Sequence, residues 1–385
     1  MRREVRRTEG EARRPRKRPR FKRSRALLVS AGLALVASVG IGCSLFGAPR
    51  YRGPMPTGAR FDGERFENEE PFEPRSFRDL VRWKLDAEPG AWRGRMDAPP
   101  GTPPPPRVGP GELRVTFVNH ATTLVQLDGV NVLTDPVWSD RVGPLPFLGP
   151  KRKRPPGIRF EDLPPIDLVV ISHNHYDHLD IPTLRRLARA HHPRIVVGLG
   201  NAPILRGEGI GNVVELDWWR TIRLRSGVRV TAVPAQHGSN RGLNDRNRTL
   251  WAGYVLEGQG GYAYFAGDTG FGPHFAQIAD RFGPPRLAIL PIGAFRPQWF
   301  MQPVHVSPEE AVRAHLVMSA HRSVGMHFGT FSLADDGEDE PVDELNAARL
   351  REGVPEDHFW VLDFGEGRDV PPFHHAELPL LPEED

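Results

Sequence analysis

Four side chains that commonly bind metal ions fall within six residues of this chain: His173, His175, Asp177 and His178. In an extended segment, side chains two residues apart point the same way, so His173 and His175 can hold one ion. The chain then turns toward a predicted helix, which directs Asp177 and His178 to a second position nearby. Such a cluster is rare by chance, and the competing interpretation is a solvated polar turn. We therefore expect two neighbouring metal positions here.

Three later side chains extend this set of ligands. His237, Asp268 and His327 each stand at the end of a strand-like segment. Gly267 allows the chain to turn sharply and present the Asp268 carboxylate. A single histidine or aspartate is more often structural, but the joint presence of three such residues after the first cluster favours metal binding.

The elements that must position these residues follow from hydrophobic patterning. The stretch 166–171 is continuously apolar, as in a strand covered on both faces, and Asp128-Gly129 is typical of a hairpin turn. Alternation and apolar runs predict strands at 113–119, 123–128, 130–134, 166–171, 195–199, 228–233, 254–256, 262–266 and 287–292.

Helical patterns lie mainly between these strands. Ser307, Pro308 and Glu310 form a capping-box signature at the start of one helix. The predicted helices cover 77–85, 181–191, 308–320 and 341–351. Because hairpins come first and strands then alternate with helices, the order predicts an α/β fold: an αββα sandwich of two mixed β-sheets flanked by helices.

The charge distribution argues against a nucleic-acid partner. The chain has 385 residues, is 39% hydrophobic, and carries a formal net charge of +3. Residues 1–25 contribute +10 of this, so the rest of the chain carries −7. The basic character therefore belongs to the N-terminus, and a nucleic-acid-binding body is not expected.

The N-terminus is typical of a targeting segment. An apolar run over 26–46 follows the basic flank, which indicates a signal peptide or a signal anchor. Cys43, the only cysteine, is at a site resembling that at which bacterial lipoproteins are lipidated. A lipoprotein, an uncleaved anchor and a buried core helix remain the alternatives. The first two predict attachment to a membrane of the bacterial cell envelope, on the periplasmic side.

We divide the chain into four parts by composition. Residues 1–46 form the leader, 47–107 a proline-rich extended arm, 108–370 the folded domain, and 371–385 an acidic tail. With a single cysteine, no disulfide within the chain is possible. The sequence does not determine the oligomeric state.

The segment 173–178 resembles the HxHxDH signature of the metallo-β-lactamase superfamily, and the surroundings of His237, Asp268 and His327 resemble its later metal motifs. Within the superfamily, the chain is similar to the branch of phospholipases D that hydrolyse N-acyl-phosphatidylethanolamine. That similarity spans roughly residues 60–365 and rests on these motifs: Asn119-His120-Ala121-Thr122, Leu133-Thr134-Asp135-Pro136-Val137, Phe147-Leu148-Gly149-Pro150-Lys151-Arg152, Ala235-Gln236-His237, Asn247-Arg248-Thr249-Leu250-Trp251 and His305-Val306-Ser307-Pro308-Glu309-Glu310-Ala311.

The resemblance implies two zinc ions, although other divalent metals remain possible. Asp268 would bridge the ions and serve as a catalytic residue. Imidazoles and carboxylates suit zinc and leave room for water, and the resemblance implies a bridging hydroxide that attacks phosphorus. The first ion would be held by His173, His175, His237 and Asp268, and the second by Asp177, His178, Asp268 and His327.

The resemblance also assigns roles around the metals. Tyr176 and His305 match positions that contact substrate in the family. Asp135 is a further candidate catalytic residue, as an acceptor that orients a ligand histidine, although a structural turn residue is the alternative. His120 either lines the pocket or satisfies a hydrogen bond in the core.

The resulting functional expectation is a phosphodiesterase of phospholipase D type that acts on N-acyl-phosphatidylethanolamine-like lipids or a small phosphodiester. One alternative is a lactone or lactam hydrolase, because the same metal centre serves both reactions. An alternative of another class is a non-catalytic envelope lipoprotein that uses the fold for binding.

Overall fold

The computed structural model describes residues 47–373. The leader, its Cys43 and residues 374–385 of the predicted tail lie outside this range. In the arm, two short strands, β1 and β2, pair with each other. Their bounds are β1 Arg60–Phe61 and β2 Phe66–Glu67. None of the helices within 47–373 is long and apolar enough to cross a membrane.

Two seven-stranded mixed sheets form the body. The first has the strand order β16-β3-β4-β5-β6-β7-β8 and the second β15-β14-β13-β12-β11-β10-β9. The strands of the body are β3 Leu113–Asn119, β4 Thr122–Leu127, β5 Val130–Thr134, β6 Leu168–Ile171, β7 Arg194–Gly198, β8 Val213–Leu216, β9 Thr221–Arg223, β10 Arg229–Val233, β11 Gly253–Gly258, β12 Gly261–Phe265, β13 Leu287–Pro291, β14 Ser323–Met326, β15 Phe359–Trp360 and β16 Gly367–Asp369.

Each sheet has an antiparallel half and a parallel half. Strands β3, β4 and β5 pair antiparallel, whereas β5 through β8 pair parallel. The second sheet repeats the pattern, because β9 through β12 pair antiparallel and β12 through β15 parallel. The parallel-paired strands β5, β6, β13 and β14 are buried along their length, as is typical of continuous apolar runs such as β6.

Helices cover the outer faces of the sheets. Their bounds are α1 Phe77–Leu85, α2 Ile181–Ala190, α3 Ala202–Gly207, α4 His274–Phe282, α5 Gln298–Met301, α6 Pro308–Val317 and α7 Glu340–Glu352. Helices α2 and α3 share a buried apolar cluster with the first sheet through Leu184, Leu205 and Val169. A second cluster contains inward side chains of both sheets, including Phe117 and Tyr254. The predicted αββα sandwich is therefore confirmed.

The secondary-structure predictions agree closely with the structure. The capping box at Ser307 is present, with Ser307 and Glu310 bonding to each other's backbone. The helix predicted over 308–320 ends earlier, at Val317, because Ser319 adopts a left-handed φ of 49°. The elements that were not predicted are strands β1, β2, β8, β9, β15 and β16 and helices α3, α4 and α5. All of them except α4 carry too few residues to display a period.

The arm lies against the body and is held at several points. The Ala48 backbone N–H donates to Asp245 at 2.6 Å. Asp217 accepts hydrogen bonds from the backbone N–H groups of Thr57, Gly58 and Ala59. Helix α1, where the sequence predicted it, is joined to the body by Trp83, whose indole N–H donates to a buried aspartate.

Candidate metal centre

All seven predicted metal ligands lie along one edge of the sandwich. Strands β3, β5 and β6 run in the same direction, as do β10, β12 and β14 in the other sheet. Each predicted ligand follows the carboxyl end of one of these strands. The two sheets meet there, because the His327 backbone N–H donates to the His120 carbonyl at 2.8 Å. The structure thus brings together all seven residues proposed from the sequence.

A tight turn carries Asp268 to this edge. Gly267 has a φ of +67°, a left-handed value that glycine adopts at little cost. A Cβ atom built at Gly267 would lie 2.5 Å from the Ser172 Cβ, so the chain approaches β6 more closely than any larger residue permits. The glycine therefore has the role that the sequence predicts for it.

Three histidines form what we call the first half-site: His173, His175 and His237. The Nδ1 of His175 lies 2.7 Å from the Nε2 of His173 and 3.4 Å from the Nε2 of His237. His173 and His237 are buried and His175 is half-buried, and desolvation lowers the pKa of each imidazole. Neutral imidazoles are the form that binds a metal ion.

In each of these three rings, the nitrogen that faces away from the other two histidines has a hydrogen-bond partner. That partner assigns the ring proton to this nitrogen. His173 Nδ1 lies 2.9 Å from Ser172 Oγ, and His237 Nδ1 donates to the Val304 carbonyl at 2.9 Å. His175 Nε2 donates to Asn240 Oδ1 at 2.9 Å. The three remaining nitrogens therefore present lone pairs to one another, an arrangement that a cation between them stabilises.

Asp177, His178 and His327 form the second half-site. The Asp177 Oδ2 lies 3.3 Å from His178 Nε2 and 3.7 Å from His327 Nε2. Burial disfavours the charged form of the His327 imidazole, but the nearby Asp268 and Asp177 carboxylates outweigh this effect and raise the pKa of His327 to about 9. The same carboxylates raise the pKa of His178 well above its ordinary value despite burial. In the metal-free protein these two imidazoles therefore carry protons that a metal ion would displace.

Asp268 lies between the two half-sites. Its Oδ2 is 3.1 Å from His178 Nε2, 3.2 Å from His327 Nε2 and 4.0 Å from His173 Nε2. Despite burial, His178 and His327 hold the pKa of Asp268 well below its usual range. Its Oδ1 is buried without a hydrogen-bond partner among residues 47–373. A carboxylate in this position is suited to bridging two cations.

The spacing of the donor atoms fits metal ions. Two nitrogens each about 2.0–2.1 Å from a tetrahedral zinc ion lie about 3.3 Å apart. The separations that these contacts give across the two half-sites, from 2.7 to 3.7 Å, bracket this value. Within the described part of the chain, His178 Nε2 and His327 Nε2 also lack any hydrogen bond of good geometry. The residues present therefore fit a pair of divalent ions.

Asp135 contacts His178 of the second half-site directly and reaches His173 of the first half-site through Ser172. It follows β5 and is fully buried, and its Oδ2 accepts from His178 Nδ1 at 2.6 Å. The same carboxylate accepts the backbone N–H and the hydroxyl of Ser172, at 2.7 and 2.5 Å. Ser172 in turn contacts His173. Asp135 is thus within hydrogen-bond distance of a ligand histidine, as the interpretation as an orienting acceptor requires.

His120 has a clear neighbour that sequence reasoning did not identify. It directly follows β3 and lies at the same edge, where its Nε2 is 3.0 Å from Asp177 Oδ2. Burial, together with His327, lowers the pKa of His120 to about 3, so the ring is neutral and donates one N–H to the carboxylate. The available signal was its position at a strand end; its partner is 57 residues away.

Tyr176 and His305 lie beside the metal cluster. The His305 ring centroid is 5.2 Å from that of His237, and burial lowers the pKa of His305 to about 4. The Tyr176 hydroxyl donates to the Arg241 carbonyl at 2.9 Å, and the Arg241 guanidinium lies 4.0 Å from the Tyr176 ring centroid. Tyr176 also lines a cavity of about 560 Å³ together with Gly47, Pro49 and Arg241.

Comparison with known proteins agrees with this geometry. A family model described as "Beta-lactamase superfamily domain" matches residues 130–328. The chain is 41% identical to N-acyl-phosphatidylethanolamine-hydrolyzing phospholipase D 1 of Caenorhabditis elegans, over 66% of this chain and 75% of that one. It is 34% identical to the mitochondrial enzyme of the same name in Saccharomyces cerevisiae, over 60% of this chain and 50% of that one.

Among solved structures, a metallo hydrolase from Ignicoccus hospitalis has a similar fold, with a TM-score of 0.51 and 20% identity over 68% of this chain and 99% of that chain. A likeness at that identity concerns the fold alone. The sandwich, the convergent histidines and aspartates, and the family match together lead to one conclusion: this chain belongs to the metallo-β-lactamase superfamily and is a metal-dependent hydrolase.

Proposed function

We propose that the protein is a phospholipase D-type phosphodiesterase with two zinc ions, acting on N-acyl-phosphatidylethanolamine-like lipids. The observation that carries this proposal is the meeting of two half-sites at one carboxylate, Asp268. The printed names of two relatives supply the substrate class. Two bound ions would supply Lewis acidity and lower the pKa of water toward 7.

The chain's own residues would hold and orient the reactants. His173, His175 and His237 would hold one ion, Asp177, His178 and His327 the other, and Asp268 both. His305, neutral at physiological pH, has a buried Nδ1 without a hydrogen-bond partner in the described residues, which suits a contact with substrate. Tyr176 lies between the ligands His175 and Asp177 in the chain and lines the 560 Å³ cavity, which suits a role in binding the lipid.

In the proposed reaction, the oxygen of a water molecule forms a new bond to phosphorus. The P–O bond to the N-acylethanolamine breaks, and the leaving oxygen takes up a proton. The products are phosphatidic acid and N-acylethanolamine. We further propose that residues 1–46 hold the protein at a membrane of the cell envelope, close to this substrate.

The test uses the full chain loaded with zinc and vesicles that contain N-acyl-phosphatidylethanolamine. We expect mass spectrometry to detect both products with the native protein and neither with His175→Ala. A matched control is His358→Ala, because His358 is partly exposed and lies outside the metal centre. A loaded protein that leaves this lipid and bis(p-nitrophenyl) phosphate intact would refute the proposal, and turnover of lactones instead would favour the alternative hydrolase.

A further inference from the structure

Asn68, in the proline-rich arm, touches the metal centre from outside the sandwich. It follows β2 directly, and only 8% of its surface is exposed. The chain separation between Asn68 and His237 is 169 residues. No motif of the metal cluster includes it, and the sequence assigns it no role.

The Asn68 side chain pairs with both backbone polar groups of His237. Its Nδ2 donates to the His237 carbonyl at 2.7 Å, and the His237 N–H donates to its Oδ1 at 3.0 Å. A planar carboxamide offers a donor and an acceptor side by side, as a peptide group does. Aspartate has the same shape but no donor, so the His237 carbonyl would face a carboxylate oxygen.

The loop that begins at Gln236 makes several contacts with the first half-site. His237 contributes its Nε2, and Asn240 accepts from the ring of His175. The arm contacts the start of this loop at a second point, because the side-chain amide Nε2 of Gln236 donates to the backbone carbonyl of Glu70 at 2.7 Å. Movement of the loop would therefore displace one ligand and the partner of another.

We propose that Asn68 is a positioning residue for the first half-site and that the arm around it is a functional part of the metal centre. Asn68 fixes the backbone of His237, while the Val304 carbonyl fixes its ring at 2.9 Å. Together these contacts aim the His237 Nε2 at the neighbouring imidazoles. Partners that orient metal ligands typically change metal affinity 10–100-fold when removed. This inference rests on the metal site proposed above.

The decisive variant is Asn68→Asp, which keeps the size of the side chain and removes one donor. We expect zinc affinity of the first half-site, measured by competition with a chromophoric chelator, to fall at least about tenfold. The second half-site should retain its affinity. Substitution of cobalt should reveal an altered visible spectrum for the first ion. Asn68→Gln, which keeps donor and acceptor on a longer stem, should recover part of the affinity.

Glu67→Gln is the matched control, because it makes the reverse acid-to-amide change at the adjacent, exposed residue. It should leave both affinities and the cobalt spectrum unchanged. Circular dichroism and thermal unfolding separate folding from positioning. If Asn68→Asp lowers the melting temperature but binds the first ion as tightly as the native chain, the inference is wrong. If the native chain itself binds no zinc, the proposed function fails instead.

Discussion

Replacing Asp135 with asparagine changes one atom of a buried carboxylate and tests how the ligand histidines are oriented. The Oδ1 can still accept the Ser172 backbone N–H, which lies at 2.7 Å. The amide NH2 would take the place of Oδ2, where His178 Nδ1 now donates at 2.6 Å. Two donors would then face each other. His178 would relieve this by releasing the Nδ1 proton and keeping the proton on Nε2, the nitrogen that faces the second half-site and would bind the ion.

The magnitude follows from the bond that is lost. A hydrogen bond to a charged group contributes about 1.5–3 kcal/mol. At about 1.4 kcal/mol for each factor of ten, this corresponds to roughly 10- to 100-fold in affinity. Loss of the partner of a metal-bound histidine has effects of about the same size. We therefore expect the second half-site to bind zinc roughly 10- to 100-fold more weakly, with a smaller effect on the first half-site through Ser172.

The assay is a titration of metal-free protein with zinc, followed by calorimetry and by competition with a chelator. Asp140→Asn is the control, because Asp140 makes only partly exposed ion pairs with Arg95 and Lys151. Circular dichroism establishes that both variants fold. If folded Asp135→Asn binds two zinc ions as tightly as the native chain, Asp135 does not orient His178 and the argument is refuted.

Three further predictions concern the same centre. In His120→Asn, asparagine tolerates the left-handed φ of 48°, but its shorter side chain no longer brings an N–H to Asp177. Zinc affinity of the second half-site should therefore fall about tenfold in a competition titration. An unchanged affinity would contradict this role of His120. Removal of the metal ions by a chelator should lower the melting temperature, because the ligands come from both sheets. Each ion at 100 times its Kd adds about 2.7 kcal/mol to the free energy of unfolding. An unchanged melting curve would exclude the site. The pKa of His327 is raised from 6.5 to about 9 in the metal-free fold, so its contribution to stability is fully present below 6.5 and is lost as the pH rises through about 9. Binding of the second ion should accordingly strengthen toward pH 9 and release protons, whereas binding of the first ion should release almost none, which calorimetry in buffers of different ionisation enthalpy would measure.

The parts that sequence reasoning predicted share one property: the information is local. His173 through His178 follow a buried apolar strand, so a reader of the sequence sees both the ligands and the element that supports them. The capping box at Ser307 and the turn at Asp128-Gly129 are likewise defined by neighbouring residues. Such features depend on backbone geometry over a few residues, and the structure reproduces them.

What escaped prediction depends on contacts between distant segments. The bond from His120 to Asp177 spans 57 residues, and that from Asn68 to His237 spans 169. Nothing near Asn68 distinguishes it from other polar residues of the arm. The interpretation of 47–107 as an extended arm follows from its many prolines, which give no information about which surface the arm contacts. Folding of the sandwich creates that surface.

The path of the first described residues has a geometric consequence. The Ala48 N–H is tied to Asp245, and Gly47 and Pro49 form part of the wall of the cavity that Tyr176 also lines. The described part of the chain therefore begins at this cavity. Under the membrane attachment that we propose for residues 1–46, the cavity that Tyr176 lines would lie next to the point of attachment, so the attachment would restrict the orientation of the protein as well as its location.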